Sequence, residues 1–81
     1  MKDKLKCSQL AHLRLRRENA RKANSAKNGT ANAYYGAKVE YHDEVKKMQE
    51  KRKKILSQGE RRSLYFDFLR KHGVPKGYRV R

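Results

Sequence analysis

Apolar residues recur at helical spacing in three stretches of this chain. The first runs from about Asp3 or Ser8 to Lys27. There Leu5, Leu13, Ala20 and Ala23 fall on one side of a helix, and Arg14, Arg17 and Arg21 fall on the opposite side. The apolar side thins beyond Leu15, where it is mostly alanine. Asn28-Gly29 reads as the stop of this helix, and the Asn28-Gly29-Thr30 sequon reads only as a turn.

The second stretch reads as a helix capped by Thr30. Tyr34, Tyr41, Met48 and Ile55 recur every seven residues, with Lys38, Val45 and Arg52 as a companion row and Leu56 beside them. Asp43–Lys47 and Glu50–Lys54 are acid–base pairs four apart, suited to an exposed helical side. Gly36 weakens the first turns by about 1 kcal/mol relative to alanine. The narrow stripe could serve a coiled-coil dimer. It is short, however, and Lys38 and Arg52 would sit in the seam, so packing within the chain is the favoured expectation.

Ser57-Gln58-Gly59-Glu60 has the form of a capping box and opens a third helix, about Gln58 to His72. Leu64, Tyr65, Phe68 and Leu69 give it a broad apolar face, with Phe66 at the edge. Gly73-Val74-Pro75 reads as a terminator. The expected architecture is therefore all-α: a helical hairpin plus a C-terminal helix in one small domain over residues 1–75, followed by a basic extended tail over 76–81.

Composition limits how firmly such a domain can hold together. Leu, Ile, Val and Phe make up 14 of 81 residues, and the net charge is +15. That combination lies in the disorder-prone range and predicts marginal stability, with order gained on binding. The lone Cys7 predicts a reducing, intracellular (cytoplasmic) setting, since small secreted domains carry several cysteines. No apolar run approaches a membrane span, and the N-terminus lacks a signal-peptide core.

The charge changes the picture most. A chain this basic repels itself, and a polyanion or an acidic protein surface relieves the repulsion. Residues 1–27 carry a net +7, residues 28–56 a net +3 and residues 57–81 a net +5. The middle helix is thus the expected scaffold and the two ends the contact surfaces. Between Arg14 and Asn24 lie five basic residues (Arg14, Arg16, Arg17, Arg21, Lys22) and two amides (Asn19, Asn24). Arginine offers a planar fork to phosphate or guanine, and asparagine can pair an adenine edge. This stretch locally resembles the arginine-rich RNA-binding peptides of phage antiterminators, and it is similar to the basic region of leucine-zipper transcription factors. Both likenesses are confined to residues 14–24. The zipper family has an unbroken helix entering a leucine heptad, whereas Gly29 and Gly36 interrupt the pattern here and Tyr, Met and Ile replace the leucines. Neither family accounts for the chain.

The leading expectation is a small basic nucleic-acid-binding protein, for RNA or DNA, that acts as a monomer or weak dimer. Its first helix would contact phosphates, with any base readout at Arg17, Asn19, Arg21 or Asn24. Lys51, Arg52, Lys53, Lys54, Arg79 and Arg81 would add phosphate contacts, and Tyr78 would stack on a base. The alternative is a small regulator or inhibitor, of the kind phage and mobile elements encode. It would dock on an acidic surface of a larger nucleic-acid-processing enzyme through Leu64, Tyr65 and Phe66. Cys7, His12, His42 and His72 lack the close pairing of zinc ligands, so no metal or other cofactor is expected. No nucleophile elbow or phosphate-cradling loop is present, and so small a core hardly supports the dry pocket that catalysis uses; a non-enzyme is expected.

Overall fold

The structure, a computed structural model, describes residues 2–78, with side chains from Lys4 onward. Three helices follow one another: α1 over Lys2–Ser25, α2 over Gly29–Arg52 and α3 over Gln58–Lys71. The all-α, three-helix expectation holds. Arg79 and Arg81 lie outside the described residues. Within the segment read as a tail, Tyr78 N–H donates to Pro75 O at 3.1 Å and closes a turn.

Partners along α1 and α2 run in opposite senses. Ser8 and Gln9 meet Gln49, His12 meets His42, and Asn32 donates to Ala23 O. The two helices therefore form an antiparallel hairpin. On another flank of α2, Glu60 pairs with Arg52, Tyr65 with Tyr41, and His72 with Glu40, so α3 is also antiparallel to α2. α1 and α3 each pack on α2, which is the scaffold the charge distribution suggested.

The helix ends correct two details. Asn28 does not stop α1; it starts α2. Its backbone is extended (φ −127°, ψ 158°), and its side chain accepts from Ala31 N–H at 2.7 Å. Asparagine is a stronger N-cap than threonine, and its reach to the third helical amide leaves Thr30 inside the first turn. At the other end, α2 stops at Arg52 because Lys53 turns left-handed (φ 58°). Ile55 is therefore off the helix and exposed, so the seven-residue row ends at Met48, and Glu50–Lys54 is not a pair on one helix. Asp43 lies against Arg16 of α1. The chain reverses after Lys53, and Leu56 tucks inward with its backbone N–H held by Gln49 Oε1 at 3.1 Å.

α3 follows its sequence signals closely. The capping box between Ser57 and Glu60 is present in both directions. At the C-terminus, Val74 N–H bonds Leu69 O at 2.9 Å and Gly73 N–H bonds Arg70 O at 3.0 Å, with Gly73 at φ 74°. This is the Schellman arrangement that a glycine one residue past the cap permits.

Among the described residues the fully enclosed core is small and mostly polar. Ala37, Val45 and Leu56 are its apolar members; His12, Asn19, His42 and Gln49 are its polar ones. Gly36, in α2, is where this economy can be improved. An added methyl there would meet the His72 ring at 3.6 Å, an ordinary contact. Gly36→Ala should therefore stabilise the fold by about 0.5–1 kcal/mol through lower unfolded-state entropy and better helix propensity. A thermal melt should show a rise of a few degrees; a fall would mean the His72–Glu40 contact had been displaced.

Candidate nucleic-acid interface

The side of α1 that faces α2 is polar. Gln9 Nε2 donates to Lys46 O at 2.9 Å, Gln49 Nε2 donates to Ser8 Oγ and Gln9 Oε1, and the His12 and His42 Nδ1 atoms lie 2.9 Å apart. These contacts fix the rotation of α1 and so decide where its arginines point. Arg14, Arg17 and Arg21 are exposed, as are Lys22 and Asn24. Successive steps of three and four residues keep the three arginines within one narrow arc over about 10 Å of helix.

Two expected members of this face are placed differently. Asn19 is 5% exposed, and its side-chain amide donates to Leu15 O at 2.7 Å. It lies one helical repeat of seven after His12, on the side packed against α2, so it is not presented to an external base edge. Arg16 is half-buried, with Nε 3.4 Å from Asp43 Oδ1, and it binds α1 to α2.

Lys51, Arg52, Lys53 and Lys54 are all exposed, with Arg52 paired to Glu60. The antiparallel register puts them beside the beginning of α1, whereas Arg21 and Lys22 lie beside the beginning of α2. Counted along α1, the two clusters are about 25 Å apart at 1.5 Å per residue, in a molecule 41 Å long. The structure does not merge them into one patch. A ligand touching both would span about seven base steps at 3.4 Å each.

Near the hairpin-turn end, aromatic rings gather. Lys22 Nζ sits 5.8 Å from the centre of the Tyr35 ring, Tyr35 and Tyr34 are edge-to-face at 5.4 Å, and Tyr34 meets Tyr78 at 5.4 Å. Tyr34, Tyr65, Phe66 and Tyr78 line a cavity of about 1060 Å³, with Arg70 and Lys76 on its wall. Leu64 and Tyr65 are half-buried, and Tyr65 packs on Tyr41 at 5.4 Å, whereas Phe66 is 47% exposed with the Arg62 guanidinium 5.7 Å away. Of the three residues expected to anchor a protein partner, Phe66 is thus the one presented outward. Sequence reasoning assigned Tyr34 to a core stripe and passed over Tyr35, Arg70 and Lys76. The adjacent Tyr34-Tyr35 pair was the available signal, because neighbouring helical residues cannot both face the same core.

His12 and His42 form a buried titratable pair. Burial lowers both pKa values, His42 to about 4, helped by His12 and Lys38; Arg61 of α3 further lowers His12. Burial also raises Tyr41, against the opposing pull of Arg61. The pairing was not visible in a thirty-residue separation. Among the described residues no group of three or more histidine, cysteine or acidic side chains converges as a metal site, and no described helix is long and apolar enough to cross a membrane. Comparison with protein-family models, curated proteins and solved structures finds no match.

Proposed function

We propose that this chain is a small helical nucleic-acid-binding protein whose α1 contacts phosphates through Arg14, Arg17 and Arg21. The carrying observation is the rotation of α1. Its polar side is spent on α2, which leaves the three arginines exposed on one outward arc. The net charge of +15 supplies long-range attraction to a polyanion, and counterion release supplies affinity. Arg17, Arg21 and Asn24 are the groups left for base readout. The Lys51–Lys54 cluster extends the footprint only for a ligand long enough to reach it.

Neutralising Arg14, Arg17 and Arg21 together to glutamine tests this. On duplex DNA the slope of log affinity against log salt should fall by about 2.7, at 0.9 per lost phosphate contact, with correspondingly weaker binding. An unchanged slope removes α1 from the interface. The exposed Phe66 supports a second reading, a regulator that docks on an acidic protein surface. On that reading the triple variant slows association but leaves the dissociation rate unchanged.

A further inference from the structure

The aromatic cavity begins where the arginine face of α1 ends. Lys22, the last cation of α1, lies about a quarter-turn round the helix from Arg21 and sits on Tyr35; Tyr35 touches Tyr34, and Tyr34 touches Tyr78. This run connects a phosphate-binding face to a groove lined by four aromatic rings, Tyr34, Tyr65, Phe66 and Tyr78. We propose that the groove receives unpaired nucleobases of the same strand whose phosphates α1 contacts, so that the ligand is single-stranded, or has a single-stranded end, at this point. The inference rests on the nucleic-acid reading and specifies the form of the ligand.

Three observations favour bases over other occupants. First, the volume of about 1060 Å³ lies at the top of the roughly 300–1,000 Å³ range of single small-molecule sites, which leaves room for more than one base. Second, among the described residues the wall holds Lys76 and Arg70, the latter paired with Asp67, and no carboxylate lines it. That suits an occupant that is apolar on its faces and negative along its edge, as a stacked base with its phosphate is. Third, cations already lie against the surrounding rings: Lys38 Nζ is 4.9 Å from the centre of Tyr34, and the Arg62 guanidinium is 5.7 Å from that of Phe66. Rings and cations interleaved in this way make the usual platform for single strands, since every base has a face that stacks and every linkage a charge that pairs. A duplex cannot use such a groove, because its bases are already stacked on one another.

Tyr78 and Phe66 are the residues to change. Tyr78 follows all three helices and Phe66 is 47% exposed, and neither is among the buried residues of the core. Tyr78→Ala and Phe66→Ala would be measured against fluorescein-labelled oligothymidylate, a DNA duplex of equal length, and inorganic polyphosphate. Circular dichroism would confirm unchanged helicity. Each alanine variant should lose about tenfold or more in affinity for the single strand, the cost of one stacked base. Binding to duplex and polyphosphate should stay within twofold, and Tyr78→Phe should bind the single strand as the parent does. Unchanged single-strand binding in both alanine variants overturns the groove proposal and leaves the phosphate-binding reading standing. Equal losses on polyphosphate also overturn it, by showing that the rings serve only the fold. A parent that self-associates in sedimentation while Phe66→Ala does not would assign the groove to a second copy of the chain. A parent that binds none of the probes at near-physiological salt overturns both readings.

Discussion

Gln49→Ala should cost the protein a large part of its stability. Gln49 is completely buried at the point where α1, α2 and the segment after α2 meet. Its Nε2 donates to Ser8 Oγ at 3.1 Å and to Gln9 Oε1 at 2.9 Å, and its Oε1 accepts from Leu56 N–H at 3.1 Å. Alanine would remove all three bonds and leave the buried Leu56 amide without an acceptor. A buried donor stripped of its partner costs about 1–3 kcal/mol, and the emptied volume adds to it, so a total of about 3–5 kcal/mol is expected. A domain of this length commonly holds only about 4–12 kcal/mol in all. The variant should melt at least about 12 °C lower, or show no cooperative transition. Gln49→Met separates packing from hydrogen bonding. It refills most of the space but cannot accept from Leu56 N–H as an amide oxygen does, so its loss should fall between parent and alanine. An alanine variant that melts with the parent would mean that Leu56 and Gln9 find other partners, and that this network is not what joins the three segments.

The same network explains which parts of the fold were legible in the sequence. α3 was legible because its signals are local. Ser57 and Glu60 satisfy each other's backbone within one turn, and Gly73 is the residue that tolerates the left-handed step ending the helix. The hairpin joint was misread because Asn28-Gly29 serves equally as a stop or as a start, and only the hydrogen bond to Ala31 distinguishes them. α1 was half legible. Its arginine face was visible as charge, and the structure leaves Arg14, Arg17 and Arg21 exposed. Its inward face was hidden, because a search for apolar periodicity finds leucine and alanine, not Gln9, His12 and Asn19. Those side chains are held by partners thirty or more residues away, or by their own helix in the case of Asn19. The candidate site divides in the same way. Its cations could be read one at a time, but the distance between the Lys51–Lys54 cluster and Arg21, and the meeting of Tyr34 with Tyr78, are consequences of the antiparallel packing.

Acidification from pH 7 to pH 4 should strip the protein of stability well before its carboxylates titrate fully, because of His12 and His42. Their Nδ1 atoms are 2.9 Å apart, so one ring donates and the other accepts, and the pair is buried as neutral imidazoles. Burial is the main force lowering both pKa values, with Arg61 from α3 acting on His12, and His12 and Lys38 acting on His42. The sign follows from proton counting. An unfolded histidine takes up its proton near pH 6.5, whereas folded His42 resists until about pH 4. Between those values the unfolded state binds more protons, so stability rises with pH in that window and falls as the solution is acidified. The shift of His42 corresponds to a loss on the order of 3 kcal/mol across the window, and His12 adds in the same direction. Glu40, held below its ordinary pKa by the hydrogen bond to His72, also loses its contribution on acidification, but at lower pH. Urea midpoints taken at pH 7.5 and pH 5 should therefore differ strongly. In His42→Gln, which keeps a hydrogen-bonding group against His12 but cannot titrate, the difference should shrink. Glu40→Gln should leave it unchanged. Parent midpoints that coincide at the two pH values would show that the imidazole pair accepts a proton in the folded state as readily as in the unfolded one, and the polar seam between α1 and α2 would then have to be held by Gln49 and its partners alone.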